Sequence, residues 1–153
     1  VRENFARIDR DYVVPGKLRY VFRNFPLERI HPNAFKAALT GECVRQRGSS
    51  AFWALHGRLF ANQQSLGDRD LLSHAGAVGM DAAAFQRCVV MPSVTAKVRQ
   101  DIRDGARAGV TGTPTFFFGV VQPDGTLRVL EKLTGAVPYA MFQSTIDRLL
   151  ASR

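Results

Sequence analysis

Gly109-Val110-Thr111-Gly112-Thr113-Pro114-Thr115 runs straight into Phe116-Phe117-Phe118, and no other stretch says as much about the fold. Glycine at 109 closes a helical pattern, the next residues form a tight loop, and the aromatic run reads as a buried strand. Proline stands at the mouth of that strand, one of the few sheet positions that tolerate a residue without a backbone donor. Downstream, Gln122-Pro123-Asp124-Gly125 is a hairpin turn, with proline and glycine where their dihedral preferences suit it. Thr126 to Leu133 then returns as the partner strand. Pro138 to Leu150 closes the chain as a helix with Phe142, Ile146, Leu149 and Leu150 on one face.

Upstream the pattern is mainly helical. Phe5, Ile8 and Tyr12 recur at spacings of three and four, which predicts a helix over 2–12 ending at Pro15-Gly16. Lys17 to Phe25 alternates Leu18, Tyr20 and Phe22 against Arg19, Val21 and Arg23, the signature of a half-buried strand. Helices are expected over 33–47, from Ser49 or Ser50 through Leu59, and from Asp68 to Gly79. Two more follow, a short one capped by Asp81 and one opened by Pro92 that ends at Gly105 or Gly109. A helical block of this length between two sheet segments must pack as a layer of its own. An α/β core with an inserted helical subdomain is the architecture that results.

The chain has 153 residues, 46% of them hydrophobic, enough for one substantial core and a single domain. No run approaches the ~20 apolar residues that cross a bilayer. The chain begins at Val1 with no signal-peptide pattern, so it is expected to be processed or a fragment. Its formal charge of +8 raises nucleic acid as a partner. The charges are scattered among acids, as in Arg7-Ile8-Asp9-Arg10-Asp11, with no basic run and no aromatic interleaving to stack bases. A solvated basic surface is the better reading, with no specific nucleic-acid site.

Chemistry-bearing residues are few. Cys43 and Cys88 lie on separate helices, either as two small buried side chains or as a disulfide that staples the helical block. His31, His56 and His74 fit no metal-ligand spacing with either cysteine, so no metal and no cofactor is expected. No dinucleotide fingerprint, phosphate-binding loop or nucleophile elbow is present.

Taken in order, these pieces resemble the DsbA-like thioredoxin family, the disulfide oxidoreductases of bacterial envelopes. Gly16 to Leu27 is similar to that family's second thioredoxin strand and its exit. Ile30-His31-Pro32-Asn33-Ala34 resembles the start of its helical insertion, and Phe52-Trp53 with Leu59-Phe60 its second helix. Gly109 to Phe116 resembles the cis-proline loop. Phe118-Gly119 stands where many relatives have asparagine-glycine, a local departure.

The resemblance implies a thioredoxin-like fold over 1–153. Residues 1–31 and 109–153 would form the core, and 32–108 the helical insertion. It implies a cis Pro114, with the carbonyl and amide of Thr113 turned outward as the substrate-facing wall. It also implies a Cys43–Cys88 disulfide of the kind some relatives carry. The family's Cys-x-x-Cys and its preceding strand would lie upstream of Val1, leaving a gap between 17–23 and 115–121. The implied activity is thiol–disulfide exchange on protein thiols and disulfides, in the periplasm and with a membrane redox partner. Kappa-type glutathione transferases and related isomerases share such a core without the motif, and a non-catalytic peptide-binding module is a third option.

Overall fold

The computed structural model describes residues 2–152, and Val1 and Arg153 lie outside it. Within it the chain forms two compact units, one made of residues 2–22 with 110–152 and the other of Arg23–Gly109.

The first unit holds α1 (Arg2–Ile8), a π-helical turn (Asp9–Val13), β1 (Thr115–Val121), β2 (Leu127–Thr134) and α7 (Tyr139–Ala151). The expected helix over 2–12 thus divides. From Asp9 the turn widens, with Val14 N–H donating to the Asp9 carbonyl at 2.8 Å. β1 and β2 are antiparallel, in a register that pairs Thr115 with Thr134 and Phe118 with Glu131. Beyond Phe118 the register shifts, so that Gly119 faces Val129 and Leu130 is the extra residue of a bulge. Glycine is required there, because a Cβ on residue 119 would come within 2.3 Å of the Arg128 carbonyl oxygen.

The core of this unit is Ile8, Tyr12, Tyr139, Phe142 and Ile146, with Phe116, Phe118, Leu18 and Tyr20 packed against it. Phe116 meets Phe142 edge-on with centroids 4.7 Å apart, and Phe118 lies 6.3 Å from the same ring. Two tyrosine–aspartate bonds then tie the first turns to α7. Tyr12 donates to Asp147 at 2.7 Å, and Tyr139 donates to Asp11 at 2.5 Å. Burial and the Asp147 bond both raise the Tyr12 phenol. Arg10 and Tyr139 together pull the Asp11 carboxyl down to about 2.

The strand expected over Lys17–Phe25 is a correction. Among the described residues the sheet has two strands, β1 and β2, and residues 18–27 have no regular secondary structure and lie outside any ladder. The alternation is real, since Leu18, Tyr20 and Phe22 are half-buried while Lys17, Arg19 and Val21 are exposed. Periodicity fixes which side chains face the core, but a strand also needs a hydrogen-bonding neighbour. Lys17 and Leu18 instead give their amides to the Tyr12 carbonyl, at 2.9 and 3.1 Å.

The second unit is helical, with α2 (Ala34–Arg45), α3 (Ser49–Ala61), α4 (Asp68–Gly76), α5 (Ala82–Val89) and α6 (Pro92–Arg107). Asp81 caps α5 as expected, accepting from the Ala84 amide at 2.8 Å. Neither Ser49 nor Ser50 caps α3, because Gly48 holds that place with φ +114°, where a side chain would be strained. α4 stops at Gly76 rather than Gly79, which instead ends the following turn with φ +85°. Val44, Leu55, Leu71, Ala75 and Phe85 form the main core, and Cys43, Cys88 and Val94 form a second cluster.

Phe142→Ala should therefore cost roughly 3–5 kcal/mol by emptying the centre of the first core. Gly119→Ala should cost roughly 1–3 kcal/mol by forcing the bulge apart. Urea denaturation of each variant checks both, and an unchanged midpoint for Gly119→Ala would contradict the close approach.

Candidate functional site

The candidate site sits where helical chain turns into β1. Gly109, with φ +73°, ends the turn after α6. The Thr113–Pro114 peptide bond is cis. Two contacts frame the loop. Thr115 Oγ1 donates to the Gly112 carbonyl at 2.7 Å, and the Pro114 carbonyl accepts from the Gly135 amide at 2.8 Å. Pro114 is half-buried by this packing while Thr113 is exposed. Among the described residues neither the amide nor the carbonyl of Thr113 has a backbone partner. One donor and one acceptor without backbone partners on a single exposed residue, directly ahead of a strand, can receive an extended peptide.

In the second unit Cys43 and Cys88 form a disulfide, with Sγ–Sγ 2.11 Å and Cα–Cα 5.8 Å. α2 presents Cys43 with none of its surface exposed, and α5 presents Cys88 with 5%. The chain's two cysteine sulfurs are thus bound to each other, and it carries no free cysteine. His31 is exposed ahead of α2. His56 lies among rings of its own helix, 5.2 Å from Trp53 and 4.6 Å from Phe60. Burial, with a smaller push from Arg45, lowers its imidazole to about 4. His74 Nε2–H donates to the Ser65 carbonyl at 3.0 Å, while its buried Nδ1 has no partner among the described residues. No group of three or more metal-capable side chains occurs among the described residues.

A polar cluster escapes the sequence pattern. Asn24, 4% exposed, bonds through Nδ2 to Glu42 at 2.6 Å and to Asp101 at 3.1 Å, and through its own amide to Asp101 at 3.1 Å. Arg23 reaches Asp101 at 3.0 Å, Arg45 reaches Glu42 at 3.3 Å, and Lys97 also pairs with Asp101. Glu42 and Asp101 are buried carboxylates on helices, a placement made tolerable by a cation on the same helix and by Asn24 from outside it. Polar residues at inward helical positions were the one available signal.

A family model described as Thioredoxin matches residues 1–146. The chain belongs to the thioredoxin family. Within it the structure is similar to crystalline alpha-DsbA1 from Wolbachia pipientis, with a TM-score of 0.76 and 27% identity, over 97% of this chain and 76% of that one. This places it in the DsbA-like group, with a thioredoxin-like fold of many helices and a small antiparallel sheet.

Sequence relatives point elsewhere. The chain is 34% identical over 120 residues to Na(+)/H(+) antiporter NhaA 3 of Salinispora tropica, covering 78% of this chain and 18% of the antiporter. It is 38% identical over 102 residues to Na(+)/H(+) antiporter NhaA 1 of a Mycobacterium species, covering 65% and 16%. The chain therefore spans less than a fifth of the length of the curated relatives it matches. Among the described residues no helix is long and apolar enough to cross a membrane.

Two outcomes are expected. An unfolded chain protonates His56 near its ordinary ~6.5, whereas the folded chain waits until about 4. Between those values the unfolded state holds the extra proton, so stability falls as pH drops through the window. Imidazole proton shifts followed by NMR should show His56 neutral at pH 5. Replacing both cysteines with serine opens a loop closed across a sequence separation of 45, at a cost of roughly 4 kcal/mol in the chain-entropy account. Guanidinium denaturation of the double variant measures it.

Proposed function

We propose that the chain is the substrate-facing part of an extracytoplasmic thiol–disulfide oxidoreductase acting on protein thiols and disulfides. Residues 1–31 and 109–153 would serve as its core and 32–108 as the inserted helical part. The observation that carries this reading is the exposed residue Thr113, whose backbone amide and carbonyl have no backbone partner among the described residues, in a chain of the DsbA-like group. A substrate strand pairs with that donor and acceptor, and Pro114 offers no amide of its own beside it. Paired in this way, the substrate's sulfur is held in register for in-line attack.

The exchange itself is an attack by thiolate on a disulfide sulfur, through a mixed disulfide. Cys43 and Cys88 are tied to each other and buried, so they do not supply that thiolate to a protein substrate. The reading requires a cysteine pair carried outside residues 1–153. A helix N-terminus is the natural place for it, since unpaired amides and the helix dipole stabilise a thiolate.

A second reading draws on the antiporters. Proteins bearing that name contain a region similar to this chain, which favours a thioredoxin-like domain working beside a membrane ion carrier, the exchange partner being a membrane protein. In the protein extended upstream of Val1, glutathione conjugation, or peptide binding without turnover, would instead support the other functions available to this core.

The test uses the 153-residue chain and the same chain extended by whatever is encoded upstream of Val1. The extended protein should oxidise a dithiol peptide and lose that activity when an upstream cysteine becomes alanine. The chain alone should give no turnover but should bind the oxidised peptide, with the Thr113 amide among the largest NMR shifts. Turnover by the chain alone that disappears in Cys43→Ala, or peptide shifts that avoid residues 111–115, would overturn the reading.

A further inference from the structure

We propose that Asn4 is a positioning residue for the Thr113–Pro114 loop, acting through the turn at 135–137. The inference rests on the peptide-facing role of Thr113 argued above and adds to it the group that holds the loop in place.

Three hydrogen bonds join α1 to the loop. Asn4 Nδ2 donates to the Val137 carbonyl at 2.8 Å, a contact between residues 133 positions apart. The Val137 amide donates to the Gly135 carbonyl at 3.0 Å, which closes a three-residue turn around Ala136. The Gly135 amide in turn donates to the Pro114 carbonyl at 2.8 Å. Among the described residues no backbone donor reaches the Val137 carbonyl, so its hold on α1 comes from the Asn4 side chain. Pro138, the next residue, has no amide to offer.

The rest of α1 follows the same line. Residues 4, 7 and 11 recur at spacings of three and four, and so lie along one side of α1 and the turn after it. The Arg7 guanidinium carbon sits 3.7 Å from the centre of the Tyr139 ring, and Tyr139 donates to Asp11 at 2.5 Å. Arg7 and Asp11 therefore anchor the start of α7, whereas Asn4 reaches the turn before it and, through Gly135, the Pro114 carbonyl. Without the Asn4 donor, α1, the hairpin and α7 still pack through Ile8, Tyr12, Phe116 and Phe142. The segment 135–137 is then free to shift, and the loop shifts with it.

The experiment follows amide hydrogen exchange by NMR in the folded 153-residue chain and measures binding of a disulfide-bonded peptide alongside. Asn4→Leu keeps roughly the same size and removes the donor. It should raise exchange at Gly135 roughly fivefold, the worth of one ordinary hydrogen bond, and weaken the peptide by a similar factor. The Gln122 amide, bonded to the Thr126 carbonyl at 2.8 Å at the far end of the same hairpin, should be unchanged. Asn4→Asp keeps the shape and suits the first turn of a helix, but sets a carboxylate against the Val137 carbonyl. It should loosen Gly135 at least as much as leucine does, whereas a role confined to the stability of α1 would make Gly135 tighter. Equal acceleration at Gly135 and Gln122, no change at Gly135, or slower exchange there in Asn4→Asp would overturn the proposal. So would unchanged affinity in Asn4→Leu for a peptide that the wild type binds. A wild-type chain whose 111–115 amides ignore the peptide counts against the functional reading instead, and the Gly135 comparison, which needs no peptide, still decides the role of Asn4.

Discussion

An isolated two-stranded hairpin is marginal in water at best, and β1–β2 is such a hairpin. It persists because Phe116 and Phe118 are pressed onto Phe142 of α7, whose own face is closed by Ile8 and Tyr12 from the first turns of the chain. Helix α7 is in turn pinned by the Tyr12–Asp147 and Tyr139–Asp11 bonds. The Thr113–Pro114 loop inherits its position from this arrangement, since the Pro114 carbonyl is fastened to Gly135 at the end of β2. An exposed backbone group is useful for recognition only when it is held still. Here the aromatic contact at Phe142 does the holding.

The second unit has a different logic. Apolar packing supplies most of its cohesion, yet two carboxylates, Glu42 and Asp101, are buried with it. They are tolerated because Asn24 bridges them and three cations reach them from the periphery. Removing Asn24 would deprive both buried carboxylates of a hydrogen-bond donor, which costs more than the complete cluster contributes. The first residues of the unit are thereby fixed onto α2 and α6.

What could be read from the sequence follows from range. The Phe116–Phe118 strand, the Pro123–Gly125 turn and the Asp81 cap depend on neighbours a few residues away, and each formed where its local chemistry indicates. The thioredoxin-like architecture was legible because several such pieces occur in a characteristic order. Features set by distant partners were not legible. Alternation over 17–23 could not reveal whether another strand lay alongside. Nothing near Leu130 marks it as the extra residue of a bulge, although Gly119 opposite is the residue that permits one. The Asn24–Glu42–Asp101 cluster joins three segments widely separated in the chain, so no window of sequence contains it. Cys43 and Cys88 were visible as a pair only because the chain has no others.

The disulfide has one more consequence, which concerns what happens when the backbone is cut. Helices α3 and α4, with the loops at 62–67 and 77–81, lie wholly inside the ring that Cys43 and Cys88 close. A protease that nicks either loop produces two polypeptides that remain one molecule. Their separation would require a reductant as well as a denaturant. In an environment rich in proteases, this part of the chain can lose its continuity without losing its pieces.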